Sequence, residues 1–145
     1  MNELTRLQHF RGLVAAGAPD SPFAELLGIR LESWEAGTVW ARLDVRGAKV
    51  NNPLGFLHGG VVASLSDHVT GLAMLSVLPE DEAFSTIELK VNYLRAVRED
   101  GPLRAVGRVL KLGRTLGVVE SDVFDASTAL VGRVLSTCIR LPARP

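Results

Sequence analysis

An antiparallel sheet curled around one long apolar helix, an α+β architecture in a single domain, is the fold this chain predicts. Three observations lead there. Residues 61–78 read VVASLSDHVTGLAMLSVL, an apolar run without strict alternation and too long for an ordinary strand. About four long strand-like segments follow it with short connections, which implies antiparallel hairpins. A strand pair precedes it, and a helix that is apolar on nearly every side has to be wrapped.

Taken in order, Leu4, Leu7, Phe10, Leu13 and Val14 recur at helical spacing, so residues 3–16 predict an amphipathic helix that Gly17, Pro19 and Pro22 end. A short strand is expected at 28–33. After the Glu35-Ala36-Gly37 turn, residues 38–45 alternate, with Val39, Ala41, Leu43 and Val45 on one face. Residues 47–57, rich in Asn, Pro and Gly, form an irregular stretch that feeds His58-Gly59-Gly60 at the head of the long helix. Gly71 weakens the middle of that helix slightly, and Pro79-Glu80-Asp81-Glu82 stop it in an exposed acidic turn. Residues 86–94 alternate, with Ile87, Leu89, Val91 and Tyr93 on one side. Strands at 103–112, 115–126 and 128–140, parted by Gly113-Arg114 and Asp125-Ala126-Ser127, complete the sheet, and the tail beyond Arg140 is expected to fray.

The length suits one domain with a real core, and 47% apolar with 22% charged residues is a globular composition. Sixteen basic residues cancel sixteen acidic ones, so no global field gathers nucleic acid. The lone Cys138 excludes a disulfide framework or a cysteine-rich zinc site and fits a reducing compartment, hence a cytoplasmic location. The N-terminal stretch lacks the basic-then-apolar order of a secretory signal. The long apolar segment has nearly the length of a membrane span, yet Asp67, His68, three serines and a threonine would be costly in lipid. A buried core helix with no membrane role is the reading that follows.

Asp67 is the only formally charged residue between 61 and 78. Burying an ionised carboxylate is expensive unless partners compensate, so Asp67 either points into a polar site or makes a satisfied structural hydrogen bond. Ahead of it, the glycines of the 52–60 loop allow close backbone approach, and free N–H groups at a helix start bind developing negative charge. Acyl transfer needs such an oxyanion donor, although Gly59-Gly60 could equally form only a tight entry turn. Leu54, Phe56 and Leu57 suggest a hydrophobic acyl pocket. Arg95, Arg98, Lys111 and Arg114 lie near strand ends, where together they could grip phosphates. His68 lies about 100° around the helix from Asp67, too far for a dyad, and is assigned a packing or interface contact. His9, His58 and His68 have no metal-ligand spacing, and no G-x-S-x-G, P-loop or H-E-x-x-H motif occurs, so no metal is expected.

The string N-x-x-G-x-x-H-G-G beginning at Asn52, an Asp nine residues after His58, then T-I-E-L-K-V-N-Y-L-R and K-L-G-R-T, resembles the hotdog-fold acyl-CoA thioesterases. The likeness is to their phenylacetate-degradation (PaaI-like) branch and runs over most of the chain. The resemblance implies a helix wrapped by a curved antiparallel sheet. It also implies a homodimer or dimer-of-dimers tetramer with acyl-CoA sites across the subunit interface and no cofactor. By position, Asp67 would be general base or nucleophile, and the Gly59 N–H, followed by Gly60, would polarise the thioester carbonyl. Asn52 and His58 would shape the loop around it, and Thr86, with Ser85 adjoining, would hold the attacking water. The same fold hosts acyl-thioester dehydratases and acyl-CoA-responsive regulators, so a dehydratase or a sensing module is the alternative; the H-G-G…Asp pattern favours hydrolysis.

Overall fold

The computed structural model describes residues 5–45, 49–98 and 101–142. The expectations that involve Glu3, Leu4, Gly47 and the last three residues lie outside them. Helix α1 (Arg6–Ala16) starts at a reciprocal cap, in which Thr5 Oγ1 accepts from the Gln8 amide and Gln8 Oε1 accepts from the Thr5 amide. A second helix, α2 (Pro22–Leu27), was not expected. Its sequence carries the signals nonetheless, with Ser21 at the N-cap, Pro22 at the first helical position and Gly28 closing it in the left-handed region. Pro19 and Pro22 were read only as terminators of α1.

Strands β1 (Ile29–Glu35) and β2 (Thr38–Asp44) form a hairpin, followed by the long helix α3 (Gly59–Leu75). Strands β3 (Glu82–Tyr93), β4 (Pro102–Leu112), β5 (Leu116–Phe124) and β6 (Leu130–Pro142) complete one six-stranded sheet. The strand order is β1-β2-β4-β5-β6-β3, every pairing is antiparallel, and β3 crosses from the helix to the far edge. The sheet curves around α3, which buries Leu65, Val69 and Met74 completely against Val39, Ala105, Val119 and Val123. Gly107 permits this closeness, because a β-carbon there would overlap the Val69 carbonyl of the helix.

Several boundaries differ from expectation. Helix α3 stops at Leu75, not Leu78, because Arg6 takes over its end: Nη1 donates to the carbonyls of Leu75, Leu78 and Pro79, and Nη2 to those of Glu80 and Glu82. Strand β3 begins at Glu82, four residues early, since Glu82 holds Arg140 of β6 by two hydrogen bonds of 2.7 and 2.6 Å. Strand β6 continues to Pro142 rather than fraying after Arg140.

The clean alternation expected along β3 is broken. Its pairing with β6 shifts between Thr86 and Glu88, a bulge that leaves Ile87 57% exposed. Leu89 and Val91 face α3 as expected, but Ile87 does not, and Thr86 takes the inward place opposite buried Cys138. Ser85, paired with Ile139, faces outward.

Candidate active site

Helix α3 is not covered all round. Its buried residues face the sheet, while Gly60 is exposed and Ala63, Ser64 and Asp67 are only half-buried, a stripe at helical spacing. Gly60 and Ser64 of this stripe border Leu27 and residues 49–51, while Asp67 lies beside β3, the edge strand. The bulge aims Thr86 at this carboxylate, and Thr86 Oγ1 donates to Asp67 Oδ1 at 2.9 Å. Asp67 is therefore anchored by one oxygen on a neutral donor.

Behind Thr86 stands Cys138, fully buried, with its Sγ 3.7 Å from Ser136 Oγ and in hydrogen-bond contact with Thr86. Burial pushes the Cys138 thiol above its ordinary range and the Asp67 charge adds to this, against the hydrogen bonds from Ser136 and Thr86.

The loop before α3 is built on itself. Asn52 Oδ1 accepts from the amides of Leu54 and Phe56, its own amide donates to the Phe56 carbonyl at 2.7 Å, and Gly55 turns with φ +79°. Asn52 thus shapes the loop from within. His58 caps the helix, with Nδ1 accepting from the Gly60 amide at 2.9 Å, so the neutral ring carries its proton on Nε2. The Gly60 N–H is thereby occupied. Among the described residues the Gly59 N–H has no acceptor. It opens on a cavity of about 500 Å³ lined by Leu54, Phe56, Leu57, Tyr93 and Arg95. No β-carbon could stand at Gly59 without pressing on the Tyr93 ring, 3.0 Å away. The loop therefore delivers one free donor beside an apolar wall, more than the tight turn that was the plainer expectation.

Within one chain the two halves of this machinery do not meet. Asp67 lies eight helical steps beyond Gly59, a rise of ~12 Å. A carbonyl held at Gly59 is beyond the reach of Asp67 in the same chain.

The four basic residues divide in the same way. Arg95 lines the cavity at the end of β3, and the Arg98 guanidinium lies 5.0 Å over the Phe56 ring. Arg114 sits at the opposite end of β3 beside Asp81 and Glu82, with Lys111 exposed on the same β4–β5 hairpin. One phosphate grip by all four in one chain is excluded, because twelve residues of β3 span ~40 Å. His68 makes the packing contact expected of it in a specific form, its Nε2 lying 2.8 Å from Asp20 Oδ2 with both side chains largely buried. Desolvation pushes the Asp20 carboxyl up, but hydrogen bonding and charge from His68 outweigh this and hold it below the ordinary range.

Sequence reasoning missed the contributions of Tyr93, Cys138 and Asp20. Each is set by a partner far along the chain, and only the N-capping and turn residues around Asp20 gave a local signal. Among the described residues no His, Cys, Asp or Glu cluster could hold a metal, and no helix is long and apolar enough to cross a membrane.

Comparison with known proteins bears on this geometry. Residues 54–131, which contain the loop from Leu54 onward, Asp67 and Thr86, match the model of the Thioesterase superfamily. The chain belongs to this family. It is 30% identical over 107 residues to a 1,4-dihydroxy-2-naphthoyl-CoA hydrolase of Listeria monocytogenes, covering 74% of this chain and 85% of that one. A conserved protein of Pseudomonas aeruginosa has a solved structure that superimposes with a TM-score of 0.77 at 39% identity, over 83% of this chain and 94% of that one. A thioesterase of Ralstonia eutropha described as related to phenylacetic acid degradation gives 0.78 at 26% identity, over 90% and 98%. This thioesterase has the hotdog fold, a curved antiparallel sheet about a central helix.

Proposed function

We propose that this thioesterase hydrolyses an acyl- or aryl-acyl-CoA to the free acid and CoA, in a site completed by two copies of the chain. The observation that carries the reading is Asp67, pinned by Thr86 on a helix stripe the chain leaves uncovered, at an open sheet edge. As general base, Asp67 takes a proton from water while the water oxygen attacks the carbonyl carbon. The carbonyl electrons move onto an oxygen held at the Gly59 N–H, and collapse of that intermediate breaks the C–S bond, the leaving sulfur taking the proton that Asp67 accepted and departing as the CoA thiol. As nucleophile, the carboxylate attacks the carbonyl carbon, the C–S bond breaks and CoA leaves as its thiolate, and water then cleaves the mixed anhydride to the free acid and the Asp67 carboxylate. Both routes need an oxyanion donor and a carboxylate, and neither needs a metal.

A second copy supplies the missing reach. In each chain Gly59 rests on Tyr93 and Asp67 is bonded to Thr86, at different points along β3. Two β3 strands joined antiparallel along their free edges, Thr86 of one opposite Tyr93 of the other, bring Asp67 of each copy beside Gly59 of its mate. The same register sets Arg95 of one copy near Phe84 of the other, close to the end of β3 where Arg114 stands. The divided basic residues are thereby reunited in two clusters fit for the CoA phosphates.

The phenylacetate-degradation branch is the placement we favour, supported by the apolar Leu54–Phe56 wall and by the description of the Ralstonia relative. A cytoplasmic location, where CoA esters are metabolised, goes with it. The test is CoA release from a panel of aryl-acetyl, hydroxybenzoyl and straight-chain acyl-CoAs by the parent and by Asp67→Asn. Turnover that falls by about 10² to 10⁴ in the variant supports the reading. Slow turnover on every ester, equal in both proteins, would favour an acyl-CoA sensor instead.

A further inference from the structure

An oxyanion is held best by two donors, and the start of α3 offers one: His58 Nδ1 occupies the Gly60 N–H and leaves only that of Gly59. The second is on β3. A β-carbon placed on Gly59 would stand 3.0 Å from Tyr93 Cε1 and Cζ and 3.2 Å from Oη. Since an amide nitrogen lies ~2.5 Å from its own β-carbon position, the phenolic oxygen is within ~6 Å of the Gly59 nitrogen. Two donors that share one acceptor at ordinary hydrogen-bond lengths stand at most ~6 Å apart. Among the described residues the Tyr93 hydroxyl has no partner, and the ring is 57% exposed along the wall of the Gly59 cavity. Tyr93 pairs with buried Gly132 of β6, on the same side of β3 as Leu89 and Val91.

We infer that Tyr93 is a catalytic residue, its hydroxyl donating with the Gly59 N–H to the thioester carbonyl oxygen and to the oxyanion that develops there. The inference rests on the thioesterase reading and adds to it the second arm of the oxyanion site. No proton leaves the phenol: the O–H···O bond shortens as charge grows on the oxygen, so the donor acts more strongly in the transition state than on the bound ester. The ring then forms the wall against which the acyl carbonyl turns. Gly59 is required by this arrangement twice over, as a donor and as the space Tyr93 occupies.

Tyr93→Phe separates the hydroxyl from the ring. The expected result is a kcat lower by about 10² to 10³ with KM within a few-fold, on a thermal unfolding midpoint equal to the parent's. A kcat within a factor of three of the parent would make Tyr93 a wall alone and overturn the assignment. A second measurement needs no turnover: the infrared carbonyl stretch of a bound acyl-CoA analogue whose thioester sulfur is replaced by CH₂. The stretch should lie lower in the parent than in Tyr93→Phe. Equal stretches overturn the Tyr93 role even where the parent hydrolyses thioesters normally, whereas a shifted stretch with no hydrolysis by the parent upholds Tyr93 as a carbonyl donor and sinks the hydrolase reading.

Discussion

The Thr86 hydroxyl donates to Asp67 Oδ1 at 2.9 Å from a strand whose alternation, counted back from Leu89, would have turned Thr86 away. The bulge at Ile87 inserts one residue, and every side chain N-terminal to it changes face. Thr86 rather than Ser85 becomes the partner of the carboxylate. Thr86→Val keeps the branched shape and removes the donor. Loss of a hydrogen bond to a charged group is worth about 1.5–3 kcal/mol, so kcat should fall by about 10- to 150-fold. Ser85→Ala should leave kcat unchanged. Steady-state kinetics on the two variants decide between them, and the reverse order would place the functional hydroxyl at Ser85.

Sharing of the site between copies predicts complementation. Asp67→Asn and Asn52→Ala chains, each inactive alone, should regain activity when mixed and allowed to exchange. About half of a random mixture is heterodimer with one intact site in two, so about one quarter of parent activity returns. No recovery, with exchange verified by mass spectrometry, would mean that each chain carries its whole site.

Arg95 and Arg114 stand at opposite ends of β3 yet are proposed to serve one CoA. Replacing either by Ala should raise KM for acyl-CoA more than it lowers kcat, because contacts far from the scissile bond give mostly uniform binding. The double variant on one chain should add the two effects. Unchanged KM in both variants would place the phosphates elsewhere.

Arg6 joins α1 to the end of α3 through five backbone carbonyls. Arg6→Ala leaves those acceptors to water and should cost about 2 kcal/mol, a fall of about 4–8 °C in the unfolding midpoint. Calorimetry that finds no change would reduce Arg6 to a surface ornament of the turn.

On the outer face, Asp122 accepts from Arg133 and Arg108, and its side chain is 8% exposed. Hydrogen bonding from Arg133 holds its carboxyl below the ordinary range, with burial opposing and Arg108 assisting. A lowered folded-state value stabilises the fold above the unfolded value, about 3.9, and that stabilisation is lost as the pH falls through the folded value. Asp122→Asn should therefore unfold at a lower temperature than the parent at pH 7, with the gap closing below about pH 4. A gap that persists unchanged into acid would assign it to packing rather than charge.

The sequence reading located α3, the strand set and the H-G-G…Asp frame because each is written in contiguous residues: periodicity, turn signals, one stray carboxylate. Helix α2 is legible too, in Ser21-Pro22 and Gly28, but Pro22 serves equally as a terminator of α1 and as the first residue of a new helix, and its local sequence does not separate the two. The β3 bulge was not legible, since T-I-E-L-K-V-N-Y alternates well on paper and only pairing with Cys138 and Ser136 reveals the extra residue. For the same reason Tyr93 read as one more apolar strand residue. The split of Arg95 and Arg98 from Lys111 and Arg114 depends on which end of an antiparallel strand each occupies, a property of topology that no local window contains.

The eight residue steps from Gly59 to Asp67 also set a rule for how much enzyme counts as enzyme. In the proposed shared site a lone chain holds a donor and a base that do not act on one carbonyl, so the proposal makes rate per milligram depend on how many chains have found a mate. The expectation is that specific activity falls on dilution toward the dissociation constant of such a pair, and that an acyl-CoA bridging both copies restores it by mass action. Abundance and ligand supply then become inputs to the same switch, with no additional regulatory part.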